Sequence, residues 1–164
     1  MEALSLLSRR GVGDVRSVVI GKGESKRWHH LAAKLGLQRN LTFIGATERV
    51  RAFHHAGDLL VHPTYYDPCS RVVLEAMSAG LPCITTRWDG AAEMIEEGVS
   101  GYVVEEPWYI ELLADRVDRL RRPDLRRAIG AAAATTARSV SMERHTAEIL
   151  ALYEACVAGA VSRV

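Results

Sequence analysis

The sequence has 164 residues, of which 48% are hydrophobic and 25% charged, and its formal net charge is +1. This composition is typical of a globular domain and excludes a mainly disordered chain. Because 21 basic residues nearly balance 20 acidic ones, a nucleic-acid binder that relies on bulk charge is not expected. No apolar run approaches the roughly 20 residues that span a bilayer, and the first residues lack the order of a signal peptide.

The length fits one domain, which we expect to extend over residues 1–164. Its three cysteines, Cys69, Cys83 and Cys156, are scattered and show neither a zinc-site spacing nor a disulfide framework. A reducing environment is the usual setting for such cysteines, so the sequence predicts a cytoplasmic protein.

Short β-branched runs alternate with longer helical patterns along the chain. Strands are predicted over residues 17–21, 41–45, 58–63, 82–86 and 101–104. Helices are predicted over residues 24–35, 47–55, 70–79, 90–95, 108–120, 123–138 and 142–158. This alternation predicts an α/β fold with a doubly wound parallel sheet and a helical C-terminal end. Such sheets bind ligands beyond the carboxyl ends of their strands, which selects the loops 21–25, 64–70 and 86–90.

The densest chemical signal is a pair of carboxylates, Asp67 in a loop and Glu75 in the helix that follows. The first backbone N–H groups of this helix, at Ser70, Arg71 and Val72, favour an anion such as a diphosphate. Glu75 is expected to be buried, because its neighbours are apolar, and would accept hydrogen bonds from hydroxyl groups. The alternatives are that Asp67 only satisfies nearby backbone amides, and that Glu75 and Arg71 are solvated residues on the helix surface.

A second candidate is the turn Gly21-Lys22-Gly23, which follows the first predicted strand and is similar to a phosphate-binding turn. It lacks the full pattern of a P-loop and that of the dinucleotide fingerprint. Taken alone, it is also explained as a tight turn.

A nucleophilic thiolate and a metal site were also considered. Cys69 lies near a predicted helix N-terminus, which lowers the pKa of a thiol, but no His–Asp partner can be named for it. The spacing of the histidines, including His54, His55 and His62, is not that of metal ligands. No metal site is therefore predicted.

The ordered series of motifs resembles the C-terminal, donor-binding half of retaining GT-B glycosyltransferases, the glycosyl transferases group 1. The family pattern is a Glu, seven residues, a second Glu and then Ala-Met-Ala-x-Gly-x-Pro. Asp67 and Glu75 match the two acidic positions, and residues 76–82 read Ala-Met-Ser-Ala-Gly-Leu-Pro. The His-Pro pair at residues 62–63 is similar to that of lipopolysaccharide-core sugar transferases. Further segments resemble flanking parts of the family, namely 19–24, 41–45, 56–63, 90–103 and 141–154.

The resemblance implies transfer of a sugar from a nucleoside diphosphate donor to an acceptor hydroxyl, with the anomeric configuration retained. Asp67 would contact the donor sugar and Glu75 the ribose. Other residues implied in substrate binding are Gly21, Lys22, Gly23, Cys69, Ser70, Arg71 and Val72. No metal or other cofactor is expected, since backbone amides and Arg71 would neutralise the diphosphate. Two departures affect the donor-sugar position: Asp67 replaces the usual Glu, and Cys69-Ser70 replaces the usual Phe-Gly.

The family enzymes are considerably longer than this chain. In them an N-terminal domain that binds the acceptor, and the first strand of the donor domain, precede the helix that matches residues 2–10. The resemblance therefore implies a fragment that binds a donor and turns over little alone. The acceptor, a saccharide or glycolipid, and any peripheral association with the inner face of the membrane would involve that other domain. The alternatives are a non-catalytic nucleotide-binding module or partner subunit, and a redox or hydrolytic enzyme that uses Cys69.

Overall fold

A computed structural model of the chain describes residues 1–23 and 25–159. Its five strands are β1 Ser17–Ile20, β2 Leu41–Gly45, β3 Leu60–His62, β4 Cys83–Thr86 and β5 Gly101–Val104. Its α-helices are α1 Glu2–Arg9, α2 Ser25–Lys34, α3 Val50–Ala56, α4 Arg71–Ser78, α5 Ile110–Arg119, α6 Pro123–Ser139 and α7 Met142–Val157. A 3₁₀ helix spans Gly90–Met94. The predicted α/β class, with parallel strands and a helical C-terminal end, is confirmed.

Every pair of neighbouring strands is parallel, and the strands form two groups. β1 pairs with β2, with Ser17 opposite Leu41. β3 pairs with β4 and β4 with β5, so that Cys83 lies opposite both Leu60 and Gly101. The described strands therefore form a two-stranded and a three-stranded sheet rather than one continuous sheet. In the larger sheet, the loops that follow β3, β4 and β5 all emerge at the same edge.

The hydrophobic core surrounds the larger sheet, whose central strand, β4, is buried along its whole length. One cluster joins α1, β4, β5, α5 and α6, and its largest members are Leu7, Ile84, Tyr102, Leu120 and Ile129. The second cluster packs α4 against α6 through Val73, Met77, Ala133 and Ala137. Small residues let these two helices approach closely: a Cβ at Gly130 would lie 2.1 Å from the Gly80 carbonyl oxygen.

Most predicted element boundaries agree with the structure, and two helices begin later than predicted. α3 begins at Val50 because the Thr47 hydroxyl accepts from the Arg49 N–H, 3.1 Å away, in a turn that precedes the helix. α5 begins at Ile110, after a turn in which the Ile110 N–H donates to the Trp108 carbonyl. The predicted start of α2, Glu24, lies outside the described residues.

Ser141 caps the last helix, because its hydroxyl accepts from the Arg144 N–H at 3.3 Å. α7 contains no buried residue. None of the helices in the described parts of the chain is long and apolar enough to cross a membrane.

Candidate functional site

Two of the three loops selected from the sequence, those after β3 and β4, contact each other through their backbones. The Asp67 N–H donates to the Trp88 carbonyl at 3.0 Å, and the Gly90 N–H donates to the Asp67 carbonyl at 2.9 Å. Residue 90 must lack a side chain here, since a Cβ would lie 1.8 Å from the Pro68 carbonyl oxygen. The two loops therefore form one surface at the carboxyl edge of the larger sheet, as expected for a ligand site of this fold class.

Asp89 is the buried centre of this surface, and the sequence analysis did not identify it. Its Oδ1 accepts from the N–H groups of Ser70 and Ala91, both at 3.0 Å. Its Oδ2 lies 2.7 Å from the Thr85 hydroxyl. The signal that could have found it is an Asp directly before a predicted short helix, the position where a carboxylate caps free N–H groups.

The position of Asp89 changes the predicted anion site. Because the Ser70 N–H already donates to Asp89, the prediction that this amide is free is wrong. Ser70 itself is buried and precedes α4 as its N-cap residue. Among the described residues, no hydrogen bond engages the N–H groups of Arg71 or Val72, which lie in the first turn of α4. These two amides thus remain able to bind an anion.

Asp67 lies beside these amides and is two-thirds buried. Its Oδ1 accepts from the Cys69 N–H at 3.2 Å, so the local turn role that was considered is present. Its Oδ2 lies 3.7 Å from His62 Nε2, a buried atom with no hydrogen-bond partner among the described residues. The Cys69 N–H therefore holds one oxygen of the carboxylate, and His62 lies near the other without a hydrogen bond to it.

Glu75 is not buried, contrary to the prediction. Half of its side chain is exposed, and Oε1 lies 3.5 Å from the Arg71 guanidinium, one helical turn away. The reason is helical geometry: the core side of α4 is formed by Val73, Ala76 and Met77, which leaves residue 75 on another face. Glu75 lines a cleft of about 440 Å³ beside α3, together with Glu48, Val50, Arg51, His54, His55, Ser78 and Ala79.

The surroundings of Cys69 disfavour its thiolate, which is the nucleophilic form of a cysteine. Partial burial raises the pKa of the Cys69 thiol above its usual value, and the negative charges of Asp89, Asp67 and Glu93 raise it further. The helix N-terminus was expected to lower this pKa, whereas burial and the three carboxylates raise it. A raised pKa leaves little thiolate at neutral pH, which argues against a redox or hydrolytic enzyme that uses Cys69.

The turn Gly21-Lys22-Gly23 follows β1 and thus belongs to the smaller sheet. The Gly21 N–H donates to the Gly45 carbonyl at 3.0 Å, and the turn itself is exposed. The described residues show no hydrogen bond or ion pair between this turn and α4. Its role in substrate binding stays a prediction. A search of the described chain finds no group of three or more His, Cys, Asp and Glu side chains suited to a metal ion.

Comparison with known proteins identifies the family. Residues 1–136 match the sequence model of the family described as Glycosyl transferases group 1. The chain belongs to this family. The resemblance seen in the sequence is therefore confirmed, and the carboxylates Asp67 and Glu75 lie within the matched region.

Sequence relatives and solved structures agree with this assignment. The chain is 35% identical over 113 residues to the lipopolysaccharide glucosyltransferase WaaG of Escherichia coli (strain K12), covering 69% of this chain and 30% of that protein. Its fold is similar to Anabaena Alr3699/HepE in complex with UDP, with a TM-score of 0.79 and 25% identity over 92% of this chain and 43% of that one. It is also similar to the C-terminal domain of the group 1 protein LpcC from Francisella tularensis, with a TM-score of 0.75 and 25% identity over 85% of this chain and 75% of that one. The chain spans at most about a third of the length of the first curated relatives.

Proposed function

We propose that this chain is the nucleotide-sugar-binding half of a retaining glycosyltransferase. The whole enzyme would transfer a sugar from a nucleoside diphosphate to an acceptor hydroxyl and keep the anomeric configuration. The observation that carries the proposal is the N-terminus of α4. There the N–H groups of Arg71 and Val72, which lie between Asp67 and Glu75 in the chain, have no hydrogen-bond partner in the described part of the structure. A nucleoside diphosphate donor is supported by HepE, a similar structure that was solved with UDP.

The chemistry follows from where negative charge develops. When the bond between the anomeric carbon and the diphosphate breaks, the leaving diphosphate gains charge. Backbone amides that already point at this position stabilise the transition state, because they need no reorganisation during the reaction. Arg71, whose side chain is almost fully exposed, adds a cation at the same helix end. With these groups present, we propose that the reaction proceeds without a metal ion or another cofactor.

The two carboxylates have different positions and so different proposed roles. Asp67 is fixed by the Cys69 N–H and lies close to His62, which suits a contact with the donor sugar next to the diphosphate. Glu75 lies one turn further along α4 and faces the cleft beside α3, which suits hydrogen bonds from the ribose hydroxyls. In this structure the Glu75 carboxylate pairs with the Arg71 guanidinium, 3.5 Å away.

The proposal is tested by isothermal titration calorimetry of the chain with UDP, GDP and ADP. Glu75→Gln should weaken the binding of the preferred nucleotide by about 1–3 kcal/mol, since it weakens hydrogen bonds to a charged acceptor. The matched control is Glu148→Gln, which removes a comparable exposed Arg–Glu pair one turn apart, on α7. Equal affinities of the two variants, with both folded, would contradict the ribose role of Glu75.

The isolated chain should bind nucleotide without transferring sugar above background. Transfer needs donor and acceptor aligned at the reacting atoms, and such alignment contributes about 7–11 kcal/mol to barrier lowering. We propose that a second domain supplies most of the acceptor contacts, at the cytoplasmic face of the membrane. Incubation of residues 1–164 with a radiolabelled sugar nucleotide and a glycan acceptor measures this, and robust transfer would overturn it.

A further inference from the structure

Four large aromatic side chains are exposed together at the edge of the sheet that carries Asp67. The residues are Tyr65, Tyr66, Trp88 and Trp108, and their exposed fractions are 70%, 77%, 40% and 57%. We call them the aromatic surface. They belong to the loops that follow β3, β4 and β5, and the rings of Tyr65 and Trp108 lie 6.1 Å apart between centroids. Clustered exposed apolar groups of this kind mark interaction sites rather than ordinary surface.

The aromatic surface is held in place by the loops that form it. The indole Nε1 of Trp88 donates to Glu106 Oε2 at 3.0 Å, and the Arg87 guanidinium lies 3.3 Å from Glu106 Oε1. The same guanidinium stacks 4.6 Å above the Trp88 ring. On the Trp108 side, the Tyr109 N–H donates to the Glu106 carbonyl at 3.0 Å. Because the Trp88 ring is already positioned by these contacts, a ligand loses little binding free energy in ordering it.

The surface is continuous with the candidate active site. The Asp67 N–H donates to the carbonyl of Trp88, and Tyr66 directly precedes Asp67 in the chain. A ligand lying on these rings is therefore placed beside the loop that carries the carboxylate proposed to contact the donor sugar. This position is where the second substrate of a sugar transfer must arrive.

The charges around the rings indicate the chemical class of the ligand. The rings lie in three loops, residues 64–70, 86–90 and 105–109. These loops contain one basic residue, Arg87, and four acidic ones, Asp67, Asp89, Glu105 and Glu106. Arg87 is already paired with Glu106. Asp89 is buried and Glu106 is paired, so Asp67 and Glu105 are the accessible carboxylates of these loops, and their charge disfavours anionic lipid headgroups beside the rings. A neutral ligand with hydroxyl groups suits this surface. Its hydroxyl groups can donate to the carboxylates, and they can donate to or accept from the tyrosine hydroxyls.

We propose that the aromatic surface binds a saccharide unit of the acceptor. The flat C–H face of a pyranose ring packs on Trp108 and Tyr65, while its hydroxyl groups reach the carboxylates around them. This inference rests on the proposed function, since it assigns the acceptor side of the same site. It adds an acceptor contact from this domain to those proposed for a second domain.

The test is saturation-transfer-difference NMR of the chain with the methyl glycosides of glucose, galactose, mannose and N-acetylglucosamine. At least one glycoside should receive saturation, and Trp108→Ala and Tyr65→Ala should each lower its affinity about fivefold, the scale of one aromatic contact. The matched control is Tyr153→Ala, which removes an exposed aromatic residue on α7 and should change nothing. Circular dichroism checks that each variant is folded.

Each outcome decides between explanations. The absence of saturation transfer to all four glycosides, or equal affinities of the three variants, overturns the proposal. Binding to phosphatidylglycerol vesicles with a blue shift of tryptophan fluorescence that Trp108→Ala abolishes would assign the surface to a membrane instead. Calorimetry with UDP, GDP and ADP on the same samples separates the two proposals. Binding of a nucleotide without glycoside binding refutes the aromatic surface alone, and glycoside binding without binding of any of the three nucleotides refutes the donor site alone.

Discussion

Asp89 joins the two loops of the candidate site, and its replacement gives the sharpest test of that geometry. Asp89→Ala would leave two buried N–H groups, those of Ser70 and Ala91, without an acceptor. Each unsatisfied buried donor costs about 1–3 kcal/mol, so we expect a loss of about 3–5 kcal/mol in the free energy of unfolding. The Thr85 hydroxyl would keep a partner, because the His62 carbonyl lies 3.0 Å from it.

Asp89→Asn should behave differently from Asp89→Ala. An asparagine Oδ1 can still accept from Ser70 and Ala91, and its NH₂ group can donate to the Thr85 hydroxyl, which then donates to the His62 carbonyl. All these buried groups stay paired. We therefore expect the free energy of unfolding to fall by about 1 kcal/mol, because the uncharged amide oxygen is a weaker acceptor than the carboxylate.

Urea unfolding followed by circular dichroism measures both changes. The control is Asp115→Ala, which removes an exposed carboxylate on α5 that pairs with Arg10 and should cost about 0–1 kcal/mol. A loss for Asp89→Ala no larger than that of the control would refute the argument that Asp89 fixes the N-terminus of α4. Equal losses for the alanine and asparagine variants would show that charge, not hydrogen-bond pairing, is what matters at this position.

Three further predictions concern the site and the helix packing. Asp67→Asn should weaken binding of a UDP-sugar more than binding of UDP in calorimetry, because Asp67 is proposed to contact the donor sugar; equal losses would favour the turn role. Alkylation of Cys69 by iodoacetamide at pH 8 should be slower than that of free cysteine, and its pH midpoint should lie above that of free cysteine measured alongside, since burial and nearby carboxylates raise the pKa of this thiol; a midpoint at or below that of free cysteine would contradict this electrostatic account. Gly130→Ala should destabilise the chain by about 1–3 kcal/mol in urea unfolding, because overpacking against the Gly80 carbonyl outweighs the higher helix propensity of alanine; a more stable variant would show that α6 can move away from α4.

The elements of the fold were predictable because their signals are local. β4 and β5 are short β-branched runs that lie in the interior, and α6 begins at Pro123, whose fixed φ suits a first helical turn. The division of the strands into two sheets was not predictable in this way. It depends on which strands hydrogen-bond to each other, and the pattern of one strand does not contain that information.

The candidate site was predicted in part. The pairing of the loops at Asp67 and Gly90 follows from the rule that parallel strands place ligand sites at their carboxyl ends. The exposure of Glu75 was missed because the apolar neighbours of a helical residue in sequence lie on other faces of the helix. The occupation of the Ser70 amide was missed because its acceptor, Asp89, lies 19 residues away along the chain.

Because the strands form two sheets, donor binding can affect the local stability of the part that contains β1 and β2. Neither hydrophobic cluster includes a described residue between positions 16 and 58, so β1, β2 and their helices are expected to open at a lower free energy than the larger sheet. The Gly21–Gly23 turn belongs to this part, whereas the amides of α4 belong to the well-packed part. A donor that contacts both would join them across the molecule. Such a donor would oppose opening of the first part by about 2.7 kcal/mol at a hundredfold excess over its dissociation constant.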